Sequence, residues 1–369
     1  MSEVTTRPGS AALQQARLRV IDCDVHPVPR DRAEIGRYLP KAWQEHWRVY
    51  GHRLRQPFLD SMPYPKAAPA LSRRDAWPPD GGPPGSNLEF VRHQHLDLHD
   101  LEYGLLFPLR PRGIDERNIG FGNAMCQAIN DWQVDCWTSR EPRLKAAINV
   151  LTDDPAGAVR EIERCAPNRD FCCVQMATRT AEPLGRRRYW PIFETAMKYG
   201  LPLGLHNNGM PGHAVTGGGA PSYYFEEHQG VGLSMAAMVT SFIFEGVFDA
   251  FPGLKVVVIE GGFGWLPSLT WRMDQHWKVL RSEVPYLKQP PSYYVKHNLW
   301  STTQPVEEPE RPEDLRHLID WIGWDRLLFS SDYPHWDSDD PRFAFKIAMH
   351  EADRRALFAD NARSVFRLG

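Results

Sequence analysis

The chain has 369 residues, of which 42% are apolar and 24% charged, and its formal net charge is −3. That length can bury a large core, and the composition is ordinary for a soluble globular protein. A balance so near neutrality gives no electrostatic reason to expect nucleic acid or an anionic membrane as partner, and no apolar run approaches the ~18 residues a bilayer demands.

Residues 1–17 are polar, lack the apolar centre of a signal peptide, and are expected as a flexible tail before one domain over 18–369. The six cysteines (Cys23, Cys126, Cys136, Cys165, Cys172 and Cys173) form no CxxC pair. Reduced, mostly buried thiols and a cytoplasmic location are the expectation. The first strand candidate covers 20–26. After it, residues 27–89 are rich in Pro, Arg and Trp and show no periodicity. A stretch that long is read as an insertion folding over the active face. Strand candidates follow at 104–108, 144–149, 172–176, 201–206, 255–260, 298–301 and 326–332. Helical patterns at 122–138, 155–165 and 189–199 lie between them, the second with Asp153/Asp154 as cap candidates and the third stopped by Gly200. Residues 207–229 form a Gly-rich loop without a phosphate-binding signature, read as a lid or a permissive turn. The Arg186–Arg188 run and the acidic run Asp337, Asp339, Asp340 are expected on solvated faces. Eight strands alternating with helices predict a parallel sheet closed as a (β/α)8 TIM barrel.

Strand alternation puts Asp22, Asp24 and His26 on one face of the first strand. Barrel interiors are filled by branched apolar residues, so polar groups at the C-terminal end of a strand are costly unless they bind something. Three further strands end the same way, in His206, Glu260 and Asp332. Barrel enzymes work at that end, and the conjunction predicts one divalent ion held among these strand-end groups. Mixed imidazole and carboxylate ligands suit Zn²⁺, with Mn²⁺ or Fe²⁺ as alternatives.

Several segments carry a family resemblance. Asp22-x-Asp24-x-His26 resembles the first-strand metal motif of the amidohydrolase superfamily. "GLPLGLHNNG" resembles its strand-5 histidine segment, "FDAFPGLKVVVIEGGFGWLP" its sixth strand, "RLLFSSDYPHWD" its strand-8 aspartate motif and "FADNARSVFRL" its terminal helix. The chain is most similar to the amidohydrolase-related branch that contains the aminocarboxymuconate semialdehyde decarboxylases. The resemblance implies that Asp24 stands at the first motif histidine, His26 at the second, His206 at the strand-5 ligand and Asp332 at the strand-8 ligand. It also implies a small-molecule substrate and a homo-oligomer. In one place the pattern departs: Glu260-Gly261-Gly262 stands where the decarboxylases usually carry His-Gly.

A buried Glu beside an ion is a good general base for water. The expectation is therefore a metal-dependent hydrolase of an amide, ester, lactone or C–C substrate, with non-oxidative decarboxylation of a small aromatic or unsaturated acid as the alternative. Asp332 or Glu260 would move the proton, and His228 could supply a further imidazole. Asp22 is expected to support a ligand from behind. His335, Trp265 and Tyr224 are the substrate-contact candidates, with Trp300 and Tyr223 as further aromatics. Gly261, Gly262 and Gly264 are read either as room for substrate or as a tight turn. Arg92, His93 and His95 could anchor an anionic group from the inserted segment, with a helix surface as their expected home.

Overall fold

The computed structural model describes residues 18–51, 71–109, 111–114, 116–209, 215–219 and 221–368, so the expected tail over 1–17 lies outside the described residues. Eight strands pair in chain order, each parallel to the next: β1 (Val20–Val25), β2 (Leu101–Leu106), β3 (Leu144–Asn149), β4 (Phe171–Arg179), β5 (Leu203–Gly209), β6 (Val256–Ile259), β7 (Leu299–Thr302) and β8 (Leu327–Leu328). The ring closes where the chain beyond β8 meets β1. Cys23 N donates to Phe329 O at 2.9 Å, Asp332 N to Asp24 O at 3.1 Å and His26 N to Tyr333 O at 2.8 Å. Helices fill the connections, and the fold is the expected (β/α)8 barrel.

Alternation divides the strands between two cores. In β6, Val257 and Ile259 pack inside the barrel with Ile21, Cys23, Leu105 and Phe107. Val256 and Val258 face outward against helix residues such as Phe193, Phe242 and Ile319. β1 breaks this rule. Ile21 and Cys23 point inward, so Asp22 points the other way, and a register shift against β2 between Asp22 and Val25 lets Asp24 turn in after them. The expected single face for Asp22, Asp24 and His26 is thus corrected by a bulge at the strand end. β8 is also shorter than the 326–332 pattern. From Phe329 onward its backbone bonds to β1, and Asp332 takes a left-handed φ of 62°.

The helix Pro155–Cys165 starts and ends as expected, but its N-cap Asp154 makes no side-chain cap bond and instead accepts from Asn123 Nδ2 at 2.8 Å. The 122–138 pattern begins earlier, at Ile119 under an Asn118 cap, and finishes in a π turn over Val134–Thr138. The inserted segment is not structureless where it is described. It carries helices Arg32–Gly36, capped by Asp31, and Lys41–Tyr50, while 52–70 lie outside the described residues. Its later part lies over the barrel's C-terminal face, where Ser72 bridges to His335 and Val28 N donates to Gly85 O at 2.9 Å. All six cysteines are free, and five are buried. Among the described residues no helix is long and apolar enough to cross a membrane.

Candidate metal centre and substrate cavity

The strand ends converge as the barrel requires. His26 follows β1, His206 lies in β5, Glu260 follows β6 and Asp332 follows β8. His26 Nδ1 donates to Phe107 O at 2.6 Å, which turns Nε2 into the site. Asp24 Oδ1 lies 3.6 Å from that nitrogen and 3.3 Å from His206 Nε2, and Glu260 Oε2 lies 3.5 Å from His206 Nε2. Phe107 stacks on the His206 ring at 5.3 Å and fixes its plane. Asp24, His26, His206 and Glu260 therefore offer a buried group of ligand atoms within 4.8 Å of one another.

Asp332 stands beside that group. Its Oδ1 is 2.6 Å from His26 Nε2, and both its oxygens are 2.8 Å from His335 Nδ1. His26, Asp332 and His335 form a second, overlapping group. The four predicted ligands thus converge on one place: Asp24, His26 and His206 meet with Glu260 beside them, and Asp332 touches both His26 and His335.

The electrostatics ask for a cation. Burial pushes the Glu260 carboxyl well above its usual range, and the charges of Asp332 and Asp24 push it further. Burial opposes charge on His26, but Asp24, Asp332 and Glu260 outweigh it and raise the imidazole to about 10. Burial would also raise Asp332, yet His335 and His26 together hold it well below the carboxylate range. Burial, with Arg112 nearby, keeps His206 neutral, the form a metal ligand needs. Neither Asp24 oxygen, both buried, has a hydrogen-bond partner in the structure. Orphaned carboxylate oxygens facing imidazoles at 3.3–3.6 Å fit a divalent ion.

Asp22 takes the supporting place assigned to it. Its carboxylate accepts from the backbone N–H of Asp24 and of Ser331, and pairs with His95 Nε2 at 2.7 Å. His95 corrects the surface assignment: it is buried, stacked on Tyr333 at 4.4 Å, because the helix before β2 turns that side under the strand ends. His93 is exposed, and Arg92 bonds Glu141 at 2.7 Å.

A cavity of about 300 Å³ opens above the cluster and reaches His206, Glu260 and His335. Tyr224 and His228, from the helix Tyr224–Phe244, line one wall, and His228 Nε2 pairs with Asp337 at 3.2 Å, which raises its pKa. That contact also corrects the solvated reading of the acidic run. Asp337 lines the cavity, and Asp339 is pushed to about 7 by burial and its acidic neighbours. Trp265 stays outside the lining, its indole N–H donating to Gly261 O at 2.9 Å. Trp300 and Tyr223 stay outside it as well. The glycines after β6 form a tight turn in which Glu307 Oε1 accepts from Phe263 N at 2.9 Å and Gly264 N at 2.6 Å. Arg112, 5% exposed, and Arg179 were not among the candidates, yet both line the cavity. Arg179 is the last residue of β4 and Arg112 follows β2, so the strand-end rule that found the ligands applies to them too.

The chain belongs to the amidohydrolase family, whose profile matches residues 21–368. A gamma-resorcylate decarboxylase from Polaromonas sp. (strain JS666 / ATCC BAA-500) is 29% identical over 299 residues, covering 76% of this chain and 88% of that protein. The crystal structure of a dihydroxybenzoic acid decarboxylase from Polaromonas sp. JS666, with bound manganese and the inhibitor 2-nitroresorcinol, superposes with a TM-score of 0.67 at 23% identity, covering 95% of this chain and 97% of the other. A 5-carboxyvanillate decarboxylase from Novosphingobium aromaticivorans DSM 12444, complexed with manganese and 4-hydroxy-3-methoxy-5-nitrobenzoic acid, superposes with a TM-score of 0.71 at 19% identity, covering 95% and 96%. The expectation of a hydrolase is corrected by these relatives, which carry decarboxylase names. That expectation rested on Glu260 or Asp332 as base for water, and Glu260 stands 3.5 Å from His206 Nε2 among the groups that could hold a metal.

Proposed function

We propose that the chain is a metal-dependent, non-oxidative decarboxylase of a small aromatic or unsaturated acid. The observation that carries this reading is the presence of Arg112 and Arg179 in the same cavity as the metal-ligand cluster. Arg112 and Arg179, the latter 3.4 Å from Glu227 of the same lining, put positive charge beside the buried carboxylates and suit an anionic substrate, which the carboxylates alone would repel. A cavity of about 300 Å³ suits a single ring or a molecule of that size.

A divalent ion held among Asp24, His26 and His206 would supply the positive charge that offsets the carboxylates and grips substrate oxygens. Mn²⁺, present in two structural neighbours, is the first ion to test and Zn²⁺ the second. Loss of CO₂ breaks a C–C bond and leaves the electron pair on carbon, which must then take up a proton. His335 is the residue we assign to that proton. Asp332 holds its Nδ1 at 2.8 Å, and its Nε2 is buried at the cavity without a hydrogen-bond partner in the structure. The Nδ1–H stays bonded to Asp332, so the proton that passes to the carbon is one carried on Nε2, at the other side of the ring. Tyr224 and the His228–Asp337 pair form the wall that orients the ring.

The test offers hydroxybenzoates and carboxylated hydroxybenzoates to chelator-stripped protein reloaded with Mn²⁺ or Zn²⁺. CO₂ and the decarboxylated ring should appear in equal amounts, and only with metal. Hydrolysis of lactones or esters with no CO₂ from any acid would overturn the reading.

A further inference from the structure

We propose that Glu227 is a specificity residue, its carboxylate recognising a hydrogen-bond donor, a hydroxyl or amino group, on the edge of the substrate ring remote from His335. Residues three and four apart share a helix face, and Tyr224, Glu227, His228 and Val231 together turn one face of the helix Tyr224–Phe244 to the cavity. Glu227 Oε1 lies 3.4 Å from Nη1 of Arg179, the last residue of β4. Its other oxygen, Oε2, is buried and has no hydrogen-bond partner among the described residues. A carboxylate oxygen shut off from water is costly until a donor reaches it, and a ligand that brings one gains what the empty site lacks.

The same wall repeats the pattern. Asn207, which follows His206 in β5, lines the cavity with its Oδ1 buried and unpartnered among the described residues. β4 and β5 pair with Ala177 against His206 and Arg179 against Gly209, so Asn207 and the Arg179 that holds Glu227 stand at adjoining strand ends. Both oxygens left over are acceptors. A hydroxyl or an amine satisfies them, and a methoxy or methyl group does not. The order of the strands sets which part of the substrate arrives there. Asp332 and His335 follow β8, and in a barrel paired in chain order β4 and β5 lie across from β8 and β1. His228 reaches Asp337 on the β8 side, while Glu227 beside it reaches Arg179 on the β4 side. A ring whose reacting carbon faces His335 therefore turns its far edge to Glu227.

The inference rests on the proposed function for its aromatic acid, and it concerns recognition, not the reaction. It is tested by equilibrium binding to the full chain loaded with Mn²⁺. The probes are 2-nitrophenols, in which a nitro group stands where the carboxylate would and cannot leave as CO₂. They carry hydroxyl, amino, methoxy or methyl at the ring positions meta and para to the nitro group. The wild type should bind the best hydroxyl or amino compound ~10–100-fold more tightly than its methoxy and methyl counterparts, the ratio expected of one hydrogen bond to a charged acceptor. Glu227→Leu should lose that ratio. Glu227→Gln keeps the shape and an oxygen for Arg179 but puts an N–H₂ in place of Oε2. It should bind hydroxyl and methoxy compounds equally, since both accept, and amino compounds least. If circular dichroism shows that Glu227→Leu does not fold, Glu227→Gln decides alone. A wild type indifferent to the substituent, an unchanged ratio in a folded variant, or an equal weakening of every compound would overturn the inference. A wild type that binds none of the probes would overturn the aromatic reading with it. The expected ratios without CO₂ release from any acid would support the recognition and overturn the reaction alone.

Discussion

Replacing Asp22 tests how the barrel closes at its active face. Asp22 is fully buried and accepts from Asp24 N at 3.1 Å, Ser331 N at 2.8 Å, Ser331 Oγ at 2.5 Å and His95 Nε2 at 2.7 Å. One carboxylate thereby holds backbone from β1 and from the segment after β8, next to Asp24 and next to Asp332. Asp22→Ala would strand two buried N–H groups and an imidazole, at ~1–3 kcal/mol for each lost acceptor, so about 3–9 kcal/mol in all. Asp22→Asn keeps one oxygen for the two N–H groups, and its amide can donate to Ser331 Oγ and to the other tautomer of His95. Its cost should be about 1–2 kcal/mol. Equilibrium urea unfolding of metal-free protein measures both without any contribution from metal affinity. A loss below ~1 kcal/mol for Asp22→Ala, or equal losses for the two variants, would refute the reasoning.

Three other outcomes follow from the structure. Gly85 has φ of 78°, and a Cβ there would stand 2.4 Å from His26 O, so Gly85→Ala should cost ~2–4 kcal/mol and weaken metal binding. Denaturation and Co²⁺ titration check it, and a neutral variant would show that this segment does not press on the ligand strand. Burial and the neighbouring His95 push His99 down to about 4. Folded His99 stays neutral while the unfolded chain takes a proton near its ordinary value of 6.5, so its contribution is complete above pH 6.5 and is lost as pH falls towards 4. His99→Gln should remove up to ~1.4 kcal/mol per pH unit of acid sensitivity in that window, and parallel stability–pH curves would contradict it. Arg112→Met should raise KM for an acid substrate by ~10–100-fold with metal occupancy unchanged, and an unaltered KM would remove Arg112 from substrate recognition.

The barrel is legible in the chain because its rules are local. Short apolar runs such as Val256–Ile259 read as strands, Pro155 and Gly200 mark helix ends, and polar residues at strand ends reveal His26, His206, Glu260 and Asp332. The same rule reaches Arg112 and Arg179 once it is applied to the ends of β2 and β4. It does not reach His95, which looks like any polar residue on a helix until Asp22 is brought against it.

By itself the sequence determined the eight-strand order, the active face and the residue types that crowd it, since propensity and alternation act over a few residues. Only the tertiary structure decided which of those residues touch. Asp24 reaches the site through a break in alternation, and Glu260 and Asp332 are each aimed by a left-handed backbone. His26 meets Asp332 across 306 residues of chain, a distance set by how the last strand closes on the first. Such contacts depend on separations of a few ångströms between strands, and no local pattern encodes them.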